Sequence, residues 1–272
     1  MKSFKLLLIA LAGATVLVLN ACSESDDNSP PATNQDDGNS ASTSELIPST
    51  FSVPLFPNSI VSTDIDYIHS DDPDNYDGFT YKGREVKEIP GSETDLLNLA
   101  FVFEMSFTDG SVVEAWCHSS FGDENKAAEY VEKLGVRYGK LPVVHRRNIN
   151  HVVINTGDKT AFAELTGHFF VLFSDNMDVR ISNNDLEETI FHEAVHASIQ
   201  DDFQMSESWR RASNADRSHI TRHAEREIED MAETAIFAYT LENNPERLPD
   251  NVKQFLIDHI PNKIAFFDQF YK

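Results

Sequence analysis

The period of the apolar pattern changes several times along this chain, and the changes divide it. Leu6 to Leu19 is an uncharged apolar run, too short for a comfortable membrane span. Ser23 to Ser44 holds almost nothing apolar, so ordering it would go uncompensated. Between residues 45 and 95, Pro48, Pro54, Pro57, Pro73 and Pro90 interrupt the hydrophobic runs, and Asp71 to Asn75 is a cluster of turn formers. From Leu99 the pattern sharpens. Leu99 to Phe107 reads as a strand, Asp109-Gly110 as a hairpin turn, and Ser111 to Cys117 as the returning strand. Asp123 to Tyr138 has helical spacing, with Asp123 as the cap and Gly135 or Gly139 as the stop. His151 to Asn155 and His168 to Ser174 read as further strands. The second is nearly all apolar, hence buried on both faces or lying under a helix.

Beyond residue 182 the period becomes helical. Asn183 or Asn184 can cap a helix running from Asp185 to about Gln200, whose apolar face is Leu186, Ile190, Ala194 and Val195. Ser208 to Ala212 is a short helical piece, and a long helix is expected over Ala224 to Leu241. Leu256 to Phe267 carries more helical spacing, interrupted at Pro261. The expected fold class is α+β. A mostly antiparallel sheet with a packed helix occupies residues 45–182, and a helical part occupies 183–272.

Composition supports a globular body and adds an address. The chain has 272 residues, 40% hydrophobic and 25% charged, with a net charge of −23. So acidic a surface disfavours nucleic acid and anionic membranes as direct partners. Lys2 and Lys5 precede the first apolar run, which then ends in Leu19-Asn20-Ala21-Cys22. Positive residues, an apolar run and a small residue mark a signal peptide over residues 1–21. The final four residues resemble the bacterial lipobox, which implies lipid on Cys22 as the mature N-terminus. That resemblance implies an exported, envelope-anchored protein, at the outer membrane in a Gram-negative cell. Residues 22–44 then form a tether. Cys117 is the one other cysteine, so no internal disulfide is expected, and its thiol is expected to be buried and inert.

The chemistry lies in His192-Glu193-Ala194-Val195-His196. On a helix the two histidines sit one turn apart on one face, able to grip one zinc ion, with Glu193 in reach of the water on the metal. A third histidine of the H-E-x-x-H-x-x-G-x-x-H type is absent, since position 199 is Ile and position 202 is Asp. The third ligand is therefore expected to be a carboxylate on a later helix. Glu229-Asp230-Met231-Ala232-Glu233 offers Glu229 and Glu233 at i and i+4, one to bind and the other to orient a histidine. Asp230 points about a quarter turn away. Asp201 and Asp202 end the first helix in solvent or orient a histidine. The acidic cluster at 71–75 lacks the ligand order of an EF-hand and reads as a solvated loop.

In these residues the chain resembles the glutamate-zincin metallopeptidases, in which H-E-x-x-H is followed by a helix bearing E-x-x-x-D or E-x-x-x-E. The spacing is most similar to the branch that includes the lethal factor protease domain and its bacterial relatives. The resemblance covers about Leu186 to Lys272. It implies a zincin-like fold, Zn2+ held by His192, His196 and Glu229, Glu193 as general base, Glu233 as a partner behind the ligands, and a peptide or protein as substrate. The family places a tyrosine shortly before the third ligand to steady the oxyanion. No tyrosine lies between His196 and Glu229 here, and His223 or His219 is nearest; His223 is the catalytic candidate. By the same resemblance, the strand at 168–174 is the one expected to pair with substrate. A different class of function also fits: a binding or structural lipoprotein in which zinc holds the helices together without turnover.

Overall fold

The computed structural model describes residues 45–92 and 96–272. The signal peptide expected over 1–21, the lipidation expected at Cys22 and the tether expected over 22–44 lie outside the described residues. Six strands form one sheet: β1 (Tyr76–Glu88), β2 (Leu97–Phe107), β3 (Val112–Cys117), β4 (His151–Asn155), β5 (Phe162–Glu164) and β6 (Phe169–Phe173), in the order β1-β2-β3-β4-β6-β5. The sheet is mixed rather than mostly antiparallel. β1/β2, β2/β3 and β5/β6 are antiparallel, but β3/β4 and β4/β6 are parallel. The reason is the crossover between β3 and β4. Helices α1 (Glu124–Tyr138) and α2 (Val144–Arg147) carry the chain back to its starting end, and a strand entered that way runs parallel.

Strand β1 is the largest element without a sequence signal. It is an edge strand of Lys, Arg, Glu and Asp interleaved with Tyr, Phe and Val, and its register shifts at Gly78 and Gly83. Charge and bulges on an edge discourage pairing with other chains, but they also erase the period-two pattern. Strand β6 is buried along most of its length and has a neighbour on each side. It cannot accept a further strand, so the expected substrate-pairing role does not fit it. The outer edge at that end of the sheet belongs to β5.

Asp123 caps α1, its Oδ1 accepting from the N–H groups of Asn125 and Lys126. Gly139 stops the helix, while Gly135 stays inside it. A Cβ at Gly135 would lie inside the van der Waals envelope of the Tyr76 ring. The glycine therefore serves helix–strand contact, not termination. Between the sheet and the motif lies a helix without strong periodicity, α3 (Ser174–Asn183). Asn184 ends it in the left-handed region at φ 58°, and Asp185 rather than either asparagine stands before α4 (Leu186–Val195). The chain continues through a π-turn, His196–Gln200, into α5 (Asp201–Phe203). Then come α6 (Glu207–Asp216), a 3-10 turn at His223–Glu225, α7 (Glu227–Asn243), α8 (Asp250–His259), α9 (Pro261–Phe266) and α10 (Asp268–Tyr271). Among these described helices none is long and apolar enough to cross a membrane.

The main core joins one face of the sheet to α1, α4, α7 and the C-terminal helices, and Cys117 is buried in it. Leu186, Ile190, Ala194 and Val195 are all buried there, as their spacing predicts. The irregular segment 45–75 is fixed by polar contacts rather than by periodic packing. Ile60 N–H donates to Glu233 Oε2 at 3.0 Å, and Tyr67 N–H donates to Glu188 Oε1 at 3.1 Å. Asp72 forms a two-pronged ion pair with Arg247 at 2.5 and 2.6 Å. Asp72 thus docks the acidic turn on the 3-10 turn Pro245–Arg247, while Asp71 and Asp74 stay exposed as a solvated loop would leave them.

Candidate metal centre

Two helices, α4 with its π-turn and α7, bring the chemistry together. His192 and His196 project from one face of the first, and Glu229 from the first turn of the second. His192 Nε2 lies 3.0 Å from His196 Nε2, and Glu229 Oε2 lies 3.2 Å from each. Three donor atoms therefore form a nearly equilateral triangle. A tetrahedral ion with bonds of about 2.0–2.1 Å separates its ligand atoms by roughly 3.3 Å. The residues fit such an ion in type and spacing, and this group could hold a metal. Two imidazoles and one carboxylate suit several divalent metals.

Behind the triangle stands Glu233, which is fully buried. Its Oε2 accepts from Thr221 Oγ1 at 2.6 Å and Ile60 N at 3.0 Å, and its Oε1 faces His192 Nδ1 at 3.5 Å. Behind His196 stands Gln200, which neither the motif nor the i+4 pair of acids announced. Its Oε1 lies 2.5 Å from His196 Nδ1. Its only sequence signal is its place four residues after a ligand on the same helix. Asp201 and Asp202 are exposed and take no part. Asp230 turns the other way, to Lys263 Nζ at 2.8 Å and His219 Nδ1 at 3.1 Å. That ion pair removes both Asp230 and His219 from the candidates.

Glu193 is 8% exposed and lines a cavity of about 130 Å3 together with His192, Glu233, Ile60 and Ala161. Burial pushes its carboxyl up to about 7. Glu233 is pushed up to about 7 by burial too, against its hydrogen bonds from Thr221 and Ile60. Burial holds the His192 imidazole down to about 4. Burial also works against the Glu229 carboxylate, but the hydrogen bonds of His192 and His196 outweigh it and hold Glu229 well below the usual range. The neighbourhood is rich in anionic groups, with Arg226 Nη1 at 3.5 Å from Glu229 Oε1. His223, on the turn before α7, lies with Nε2 3.3 Å from Glu229 Oε2 and is partly exposed. It groups with His192 and Glu233 rather than with His196.

The cavity is bounded on one side by the loop at 59–61 and on the other by Thr160 and Ala161, which lead into β5. Protein-family models, curated proteins and solved structures were compared with the chain, and none of the three comparisons gives a match.

Proposed function

We propose that the chain is a zinc-dependent metallopeptidase of the glutamate-zincin type, anchored to the cell envelope through lipid on Cys22. The observation that carries this reading is the triangle of His192, His196 and Glu229 with Glu193 beside it on the wall of the cavity. The helix of the motif shares its core with one face of the sheet, which supports the zincin-like reading. Zinc, when bound, supplies Lewis acidity to a carbonyl oxygen.

The remaining steps belong to the chain's own residues. Glu193 takes the proton of the attacking water and returns it to the departing amine nitrogen, acting as general base and then as general acid. His223 Nε2, at the rim of the site, donates to the developing oxyanion. Glu233 and Gln200 hold the two imidazoles in place. The peptide lies extended against the free edge of β5, whose backbone groups offer strand addition.

A second reading rests on His223. Its Nε2 lies 3.3 Å from Glu229 Oε2, so the ring would steady the third ligand rather than an oxyanion, and zinc would hold the two helices together without turnover. The chain would then be a binding or structural lipoprotein. One experiment separates the two: cleavage of a mixed peptide library by the zinc-loaded protein beside Glu193→Gln. The peptidase reading expects cleavage by the wild type and loss of at least about 100-fold in the variant, with zinc retained. Stoichiometric zinc without cleavage by either protein overturns it in favour of the structural reading.

A further inference from the structure

The π-turn at His196–Gln200 places a neutral side chain where metal centres commonly use a carboxylate or a carbonyl. Gln200 is fully buried. Its Nε2 donates to Ile228 O at 2.6 Å and to Gln204 Oε1 at 2.9 Å. A backbone carbonyl can only accept, so the atom facing Ile228 must be the amide nitrogen. The other end, Oε1, then faces His196 Nδ1 at 2.5 Å. An amide oxygen can only accept, so His196 carries its proton on Nδ1. Its Nε2, 3.0 Å from His192 Nε2 and 3.2 Å from Glu229 Oε2, is the atom a metal would take.

The geometry points to Gln200 as the positioning residue of the centre. It sets the tautomer of His196 and ties that imidazole to the backbone immediately before the third ligand, Glu229. Every hydrogen-bonding group used here has its complement: one oxygen accepts and two N–H groups donate. A carboxylate at position 200 could orient His196 but could not donate to Ile228. An apolar residue could do neither. The π-turn belongs to the same device. Such turns are rare insertions into α-helices, frequently at functional sites; this one begins at His196 and ends at Gln200. The inference rests on the metal reading above, and adds which residue couples the two ligand-bearing helices.

The test is zinc affinity of the full chain, by chelator competition, for the wild type, Gln200→Leu and Gln200→Glu. Gln200→Leu should bind zinc about 10- to 100-fold more weakly, the usual cost of removing an orienting partner. Gln200→Glu, which keeps an acceptor for His196, should fall between it and the wild type. Folding of each metal-stripped variant is followed by its thermal transition. Should the variants fail to fold, long-range proton–nitrogen spectra of the zinc-loaded wild type read the ring directly: a proton on His196 Nδ1 is expected. Wild-type affinity in a folded Gln200→Leu protein, or a His196 ring without a proton on Nδ1, overturns the assignment. A wild type that binds no zinc overturns the metal reading itself, a separate result.

Discussion

His192 Nδ1 and Glu233 Oε1 face each other across 3.5 Å of buried interior, and neither atom has any other hydrogen-bond partner. The other carboxylate oxygen is already occupied by Thr221 and Ile60. The pair is therefore available for one task, to keep the His192 proton on Nδ1 and direct Nε2 toward Glu229.

Glu233→Gln should disturb the metal without disturbing the fold. The single amide oxygen would stay with its two donors, Thr221 and Ile60, and the amide nitrogen would face His192. The ring would then have to accept at Nδ1 and carry its proton on Nε2, where a metal would bind. Zinc affinity should fall about 10- to 100-fold while the thermal transition of the metal-stripped protein moves little. Equal affinities for variant and wild type would remove Glu233 from any orienting role.

His145 gives the protein an acid limit. It is fully buried, between Ser198 Oγ at 2.8 Å and Tyr271 Oη at 2.9 Å. Burial, helped by the charge of Arg146, lowers its pKa to about 3. The unfolded chain takes up this proton near 6.5 and the folded one does not. The stability it contributes is therefore complete above about 6.5 and is lost as pH falls, by up to about 1.4 kcal/mol per unit. Denaturant unfolding of metal-stripped protein between about pH 7 and pH 4 should show this slope. His145→Gln should flatten it, and an unchanged slope would show that other groups set the acid limit.

Glu188 acts in the opposite direction. Burial raises its carboxyl to about 8, in spite of the Tyr67 and Ile68 N–H groups that donate to Oε1. The folded chain holds this proton more tightly than the unfolded chain, so its contribution to stability is lost as pH rises from about 4.5 through about 8. Glu188→Gln keeps an acceptor for both N–H groups and discards the charge. It should raise the melting temperature near about pH 9 and leave it almost unchanged near about pH 4. A variant less stable at both would mean the ionised carboxylate is what holds segment 60–68.

Lys263 is fully buried, with Nζ 2.8 Å from both Asp230 Oδ2 and Ser218 O. Lys263→Met strands the Asp230 carboxylate with only uncharged donors and His219. The loss should be about 3–5 kcal/mol in denaturant unfolding. Adding Asp230→Asn should recover part of that loss. A double variant as unstable as the single one would place the cost in packing rather than in charge.

Elements with a strict local rhythm were legible, and elements held by partners were not. The strand at 151–155 and the helix capped by Asp123 have the bounds their patterns predict. Strand β1 was illegible because its core face is only half-buried and its register shifts at Gly78 and Gly83 break the alternation along all thirteen residues. The parallel middle of the sheet was missed because a hairpin turn is written in two residues, whereas a crossover is a property of how α1 packs. At the site, His192, Glu193 and His196 follow from spacing alone. Asp201 and Asp202 were weighed as orienting groups, but Gln200 stands behind His196. Helix phase places position 200, and not 201 or 202, on the ligand's own face.

By itself the sequence determined what helix geometry makes obligatory. Residues four apart share a face, so His192 with His196, and Glu229 with Glu233, had to project together wherever their helices lay. It also determined the apolar stripe of α4 and the acidic character of the chain. Only the tertiary structure decided the rest. It turned Glu229 to the two imidazoles, set Glu233 behind His192, and paired Asp230 with Lys263. It also brought Ile60 across 173 positions to cap Glu233. Those contacts join segments far apart in the chain, where no local periodicity operates, and they arise from how α4 and α7 bury their faces against each other and the sheet.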